Sequence, residues 1–281
     1  MTDYKNVKYK YPTVTLSGAT ESSPASGDIW YDSGKFYFGT SLTLLGAWSS
    51  GGNLATARYQ PAGFGTQTAA VCAGGNTGSD TNVTEEYNGT AWSSGGNLAT
   101  ARNYLAEAGT QSAGLCTGGR ATDNVTEEYD GTSWASGGNL GTGRGYFSGC
   151  GTQSAGLCAG GGGSGAASTV TEEYDGTSWS SGGNLGTGRY ALAVAGIQSA
   201  AITMGGSISS EAVQSVTEEY NGTAWSAGGA MATARQYLAG AGTKSAGLVM
   251  GGTTGSGSNV TEEYSVGLGS YDELFTPSQG L

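Results

Sequence analysis

Arginines and paired glutamates recur at fixed spacing along this 281-residue sequence. Each of five repeats contains the sequence Thr-Glu-Glu-Tyr and one arginine, and these arginines are Arg58, Arg102, Arg144, Arg189 and Arg235. Five guanidinium groups around one opening could bind an anion or an acidic sugar. A buried carboxylate also needs a partner, so each arginine could instead be held by a glutamate of its own or an adjacent repeat. We favour this structural role over an anion-binding ring.

Two carboxylates can hydrolyse a glycosidic bond when they face one cleft, about 5 to 9.5 Å apart. Adjacent residues of a strand point to opposite faces, so Glu127 and Glu128 do not meet this requirement. The segment 174–179, YDGTSW, resembles the Asp-box of sialidases (S-x-D-x-G-x-T-W), but Asp175 directly precedes Gly176 instead of lying two positions before it. We therefore expect no enzyme, and a glycosidase-like or sialidase-like activity is the less favoured alternative.

The composition argues against several kinds of site. Histidine is absent, and with it the commonest metal ligand and general base, so we expect neither a metal nor a cofactor. The cysteines show no CxxC spacing, and three of the four precede a Gly-Gly pair by two residues, which favours buried, reduced thiols. They are Cys72, Cys116, Cys150 and Cys158.

Charge and hydropathy argue against two kinds of partner. The formal net charge is -11, and the only basic cluster is Lys5, Lys8 and Lys10, so nucleic acid is not an expected partner. The sequence shows neither a secretory signal nor an apolar run of about 20 residues. We therefore expect that the protein does not insert into a membrane. We also expect it to be synthesised in a cytoplasm.

The repeat itself predicts the secondary structure. Tryptophans keep the same spacings as the arginines, 44, 42, 45 and 46 residues, and they are Trp48, Trp92, Trp134, Trp179 and Trp225. In the copy 102–140, an apolar stretch ends at Gly109, and a second stretch ends at the pair Gly118-Gly119. A variable loop, the strand VTEEY, an Asp-Gly turn and a short strand around Trp134 follow.

Four short strands per unit, joined by hairpins, predict the blades of an all-β propeller. The paired glycines, the tyrosine and the tryptophan resemble the kelch repeat of kelch proteins and of the galactose oxidase propeller, over roughly residues 47–264. The copper site of galactose oxidase uses histidine, so that activity does not carry over. We expect a kelch-like β-propeller of five four-stranded blades.

Closure of the ring is expected to use a strand distant in sequence. The fifth copy ends without a tryptophan strand, whereas Trp48 opens the series without three strands before it. Residues 47–49 are therefore predicted to complete the last blade. A sixth, irregular blade built from residues 28–46 and the C-terminal tail is the alternative.

Three regions follow from this arrangement: an N-terminal anchoring segment at 1–45, the propeller at 46–266 and a tail at 267–281. The segment GDIWYDSGKFYF at 27–38 predicts a hairpin and resembles segments of bacteriophage tail-fibre and other virion proteins. The AWSSGGNLATAR units resemble kelch-type repeats of tailed phages that infect aquatic bacteria.

These resemblances imply a non-enzymatic structural or adhesin protein of the virion, made in the host cytoplasm. Residues 1–45 would bind other virion proteins, and the propeller would bind a glycan or protein receptor on the host surface. We also expect a homo-oligomer in the particle. A free kelch-type interaction scaffold or a lectin is the alternative.

The repeated tryptophans are expected to pack between blades, and ligand-binding residues are expected elsewhere. The loops after each Gly-Gly pair vary in length and chemistry while their supporting strands do not, and binding often resides in such loops. The candidates are Asn76, Asp80, Arg120, Asp123, Ser207, Glu211 and Thr253.

Overall fold

The computed structural model describes residues 29–32, 35–38, 50–120, 123–163, 166–208 and 212–266. The chain divides into two compact units, residues 1–50 and 51–281. In the first unit, β1 (Ile29–Asp32) and β2 (Lys35–Phe38) form an antiparallel hairpin, and this confirms the predicted hairpin. Within the described ranges, no helix is long and apolar enough to cross a membrane.

The second unit consists of small antiparallel sheets that follow the repeat. Blade 1 contains β3 (Ala62–Thr66), β4 (Ala69–Ala73), β5 (Thr84–Tyr87) and β6 (Trp92–Ser94). Blade 2 contains β7 (Ala106–Thr110), β8 (Ala113–Thr117), β9 (Thr126–Tyr129) and β10 (Trp134–Ser136). Blade 3 contains β11 (Ser148–Thr152), β12 (Ala155–Ala159), β15 (Thr171–Tyr174) and β16 (Trp179–Ser181), with a small extra hairpin of β13 (Gly162–Gly163) and β14 (Ala166–Ala167).

The last two blades continue the same order. Blade 4 contains β17 (Ala193–Ile197), β18 (Ala200–Met204), β19 (Thr217–Tyr220) and β20 (Trp225–Ala227). Blade 5 contains β21 (Ala239–Thr243), β22 (Ala246–Met250) and β23 (Thr261–Ser265). The fourth strand predicted for blade 5, residues 47–49 with Trp48, lies outside the described residues, so closure by that strand stays a prediction.

Tight turns explain why each blade forms from a local stretch of sequence. Gly109, the next-to-last residue of β7, has a φ of +104°, and a Cβ atom there would lie 2.2 Å from the Ala113 carbonyl oxygen. Only glycine fits this position, which directly precedes the last residue of the strand before the turn between β7 and β8. Glycine occupies the equivalent position in the other four blades.

The blades pack side by side through their inner strands. Strand β3 contacts β7, β7 contacts β11, β11 contacts β17, and β17 contacts β21. Between blades 1 and 2 the buried side chains include Val71, Leu98, Leu105 and Tyr129. The arrangement is an all-β propeller with five blades, as the repeat predicted.

Candidate functional site

The repeated arginines lie inside the blades. Arg102 places Nη2 2.7 Å from Oε1 of Glu127, and its Nη1 donates to the carbonyl oxygens of Gly118 and Val125 at 2.6 and 2.8 Å. The other pairs are Arg58–Glu85, Arg144–Glu172, Arg189–Glu218 and Arg235–Glu262. Their arginine side chains are at most 1% exposed. Burial and internal pairing contradict an anion-binding ring of arginines.

The repeated tryptophans join neighbouring blades. Trp134 of blade 2 donates from Nε1 to Oγ1 of Thr84 in blade 1 at 3.0 Å, and its ring lies 4.8 Å from that of Tyr129. Trp179 and Trp225 donate to the equivalent threonines of the blades before them. Trp92 packs against Tyr87 with ring centroids 5.0 Å apart.

A cavity opens at the end of the propeller where each inner strand begins. Its volume is about 560 Å³, and each blade contributes one tyrosine to its lining: Tyr59, Tyr104, Tyr146, Tyr190 and Tyr237. We call this group the tyrosine mouth. Tyr104 and Tyr146 lie 3.7 Å apart between ring centroids, and Tyr237 meets Tyr146 edge-on at 6.5 Å. Tyr59 and Tyr237 are about half exposed, so aromatic surface is open to a ligand.

In each blade the backbone is strained at the mouth tyrosine or at the residue that follows it. The second residue after each repeat arginine has a φ between 52° and 57°, and these residues are Gln60, Tyr104, Tyr146, Ala191 and Tyr237. A non-glycine residue in this region costs about 1–2 kcal/mol and is enriched at functional sites. Hydrogen bonds between blades hold the conformation: the Ala191 amide donates to the Tyr146 carbonyl at 2.6 Å, and the Tyr237 amide donates to the Ala191 carbonyl at 2.8 Å.

Amide side chains add polar groups to the mouth. Asn103 is 3% exposed and donates from Nδ2 to Oε1 of Gln60 at 3.4 Å, while its Oδ1 has no hydrogen-bond partner among the described residues. Gln60 in turn donates to the hydroxyl of Tyr104. Burial and the neighbouring Tyr146 hydroxyl raise the pKa of Tyr104, so this phenol stays protonated at neutral pH. The lining therefore offers ring faces, tyrosine hydroxyls and an unsatisfied amide oxygen.

Three of the loop residues singled out from the sequence meet at the rim of the mouth. Asn76 and Arg120 line the cavity. Arg120 places Nε 2.8 Å from Oδ2 of Asp80, and Asn76 donates from Nδ2 to Oδ1 of Asp80 at 3.0 Å. Because Asp80 pairs with Arg120, the charge at this rim is neutralised within the protein.

The other loop candidates do not line this cavity. Asp123 donates its backbone amide to the Arg120 carbonyl at 2.9 Å. Ser207 is fully buried and pairs through its backbone with Tyr190, while Thr253 pairs with Gln236. Glu211 lies outside the described residues.

Beneath the mouth, the inner strands of all five blades line a channel of about 390 Å³. Across the described inner strands, Glu107 of β7 is the only charged residue. Burial raises the pKa of its carboxyl to about 8. The described residues contain no cluster of three or more side chains arranged to bind a metal.

Sequence reasoning missed both the tyrosine mouth and Glu107. A signal for the mouth was present, because a tyrosine follows the repeat arginine by one or two positions in every copy. Glu107 carried a weaker signal, since it interrupts a strand that is otherwise built of small residues.

Comparison with models of known protein families finds no match to this chain, and comparison with curated proteins finds no similar protein. A function for this chain is therefore inferred from its fold and from the tyrosine mouth. A β-propeller with an aromatic cavity fits a binding or scaffold role, because aromatic cavities are typical binding sites. The fold does not specify that role further, because propellers support many unrelated activities.

Proposed function

We propose that this chain is a non-enzymatic recognition protein whose tyrosine mouth binds a glycan on a host surface. The observation that carries the proposal is the meeting of five tyrosines, one from each blade, around one cavity. Tyrosine rings offer flat apolar surface with a polar hydroxyl, which suits a sugar whose ring is apolar on its faces and polar at its edge. The unsatisfied Oδ1 of Asn103 adds an acceptor for a ligand hydroxyl.

The chemistry of the lining supports binding without catalysis. Glycoside hydrolysis uses two carboxylates facing the bond. Glu107 is the single carboxylate on the described inner strands, and Asp80 at the rim is engaged by Arg120. The remaining lining groups are tyrosine hydroxyls, amides and backbone, and burial raises the pKa of the Tyr104 and Tyr237 hydroxyls, which makes them poorer nucleophiles.

The biological setting in this proposal is a tailed-phage virion. The support is the resemblance of the hairpin at 27–38 to tail-fibre segments and of the repeats to kelch-type phage repeats. Residues 1–45 would dock to other virion proteins, and the propeller would be displayed, as a homo-oligomer, toward the host.

A glycan array with the full chain tests the binding proposal. We expect binding to at least one glycan, and the double substitution Tyr104→Ala with Tyr146→Ala should weaken it at least roughly tenfold, because stacking surface at the centre of the mouth is removed. Ile197→Ala is the matched control, since Ile197 is an exposed apolar side chain at the far end of β17. Equal binding by the double variant and the wild type would overturn the proposal.

Electron microscopy of purified virions with a gold-labelled antibody against the chain tests the setting. Labelling at the tail or capsid supports the virion assignment. Absence of the chain from particles would contradict it and would favour a free lectin or interaction scaffold.

A further inference from the structure

Glu107 breaks the repeat at an inner-strand position that lines the channel in all five blades. The equivalent residues of the other blades are Gly63, Gly149, Val194 and Gly240. The fold therefore does not need a carboxylate at this position. A polar group that the architecture does not require, placed inside a channel, is a candidate for ligand recognition.

Glu107 also lines a smaller cavity directly connected with the residues of the mouth. This cavity has a volume of about 280 Å³, and Tyr104, Tyr146, Tyr237 and Gln60 line it together with Glu107. Among the described residues, no hydrogen bond or ion pair reaches the carboxylate. An unpaired carboxylate in such a place is costly when ionised, and a cationic ligand would remove that cost.

The surroundings provide no internal positive charge for Glu107. Cys116 pairs with it in register on β8, and the nearby thiols of Cys150 and Cys158 stay neutral because burial raises their pKa. The guanidinium groups of Arg102 and Arg144 are already paired with glutamates of their own blades. Inner strands β3, β17 and β21 carry no charged residue.

We propose that the cavity between the tyrosine mouth and Glu107 binds an ammonium group carried by the ligand. The ring faces of Tyr104, Tyr146 and Tyr237 would attract the cation through their negative faces, and Glu107 would neutralise it. The proposal rests on the binding role of the mouth and specifies the ligand class. The ammonium group is either the primary amine of an unacetylated amino sugar or the quaternary amine of a choline substituent.

Isothermal titration calorimetry with the full chain tests this assignment with two matched pairs of probes. Glucosamine is compared with N-acetylglucosamine, and choline with its neutral analogue 3,3-dimethylbutan-1-ol. We expect the cationic member of at least one pair to bind at least roughly tenfold more tightly than its neutral partner. The pair that shows the difference identifies the source of the ammonium group.

Substitutions at position 107 link this preference to the carboxylate. Glu107→Gln keeps the shape, and Glu107→Gly reproduces the residue found in three other blades, so both variants should fold, which circular dichroism checks. Both should lose the preference for the cation. Glu263→Gln, which removes an exposed carboxylate on β23, should retain it.

Two outcomes overturn the inference. One is equal affinity for the cationic and neutral probes, and the other is an unchanged preference in both Glu107 variants. Either result leaves the proposed function standing if the tyrosine double variant still loses glycan binding.

Discussion

Tyr174 of blade 3 donates a hydrogen bond to Oε1 of Glu128 in blade 2 at 2.5 Å. The same link joins Tyr129 to Glu86, Tyr220 to Glu173, and Tyr264 to Glu219. The two glutamates of each Thr-Glu-Glu-Tyr segment therefore have different tasks in blades 1 to 4. The first pairs with the arginine within its own blade, and the second accepts a hydrogen bond from the next blade.

Removing one of these hydroxyls should weaken the contact between two blades. Tyr174→Phe leaves the Glu128 carboxylate without its donor, and we expect a loss of about 1–2 kcal/mol in the free energy of unfolding. Guanidinium chloride unfolding followed by tryptophan fluorescence measures the change. Tyr59→Phe is the control, because Tyr59 is half exposed, and it should change stability by less than about 0.5 kcal/mol. An equal effect of the two substitutions would contradict the interblade role.

Breaking a buried arginine–glutamate pair should lower the free energy of unfolding more than removing one interblade hydrogen bond does. Arg102→Met leaves Glu127 ionised and uncompensated, and we expect a loss of about 3–5 kcal/mol in the free energy of unfolding. Adding Glu127→Gln should restore part of that loss, because the buried charge is removed together with its partner.

The ion pair of Arg120 and Asp80 at the rim of the mouth is the control for the effect of burial. Arg120 is 64% exposed and pairs with Asp80, so Arg120→Met should cost less than about 1 kcal/mol. If Arg102→Met and Arg120→Met destabilise the protein equally, burial is not what makes the repeated pair important.

Stability should depend on pH through Glu107. Its pKa of about 8 in the folded protein exceeds the ordinary value of 4.5, so folding binds a proton between these two pH values. The stabilising contribution is complete below pH 4.5 and is lost as the pH rises to 8, with a total on the order of 2 kcal/mol or more. No histidine titrates in this window, and the buried thiols of Cys150 and Cys158 have raised pKa values.

Unfolding measured from pH 5 to 8.5 checks this dependence. Glu107→Gln should be more stable than the wild type near pH 8.5, and the difference should shrink toward pH 5. If the difference in the free energy of unfolding between the wild type and Glu107→Gln is the same at every pH in this range, the pKa of Glu107 is not raised in the folded protein.

Backbone strain at the mouth gives another prediction. Ala191 has a φ of +52°, whereas the buried Ala193 lies in strand β17 of the same blade. Ala191→Gly and Ala193→Gly remove the same methyl group, but only the first relieves a left-handed conformation. We expect Ala191→Gly to be more stable than Ala193→Gly by about 1–2 kcal/mol in chemical unfolding. Equal losses would mean that the mouth stores no strain at this position.

The blades follow from local features of the sequence. Glycine at each hairpin turn, the alternation around Thr-Glu-Glu-Tyr and the spacing of tryptophan and arginine act over short stretches of chain, so they predict strands and turns directly. The sequence also predicted that each repeat arginine pairs with a glutamate of its own or an adjacent repeat. Arg102 and Glu127 meet this prediction because both belong to one blade.

The position of the candidate binding cavity depends on how the blades pack together. Tyr104 and Tyr146 are 42 residues apart, and their rings meet because blades 2 and 3 pack side by side through β7 and β11. The same packing brings Glu107 beneath the tyrosines, which no local pattern indicates. Each blade is rotated relative to the one before it, and this rotation brings residues of separate blades around one cavity. The size of the rotation depends on contacts between residues that are distant in sequence.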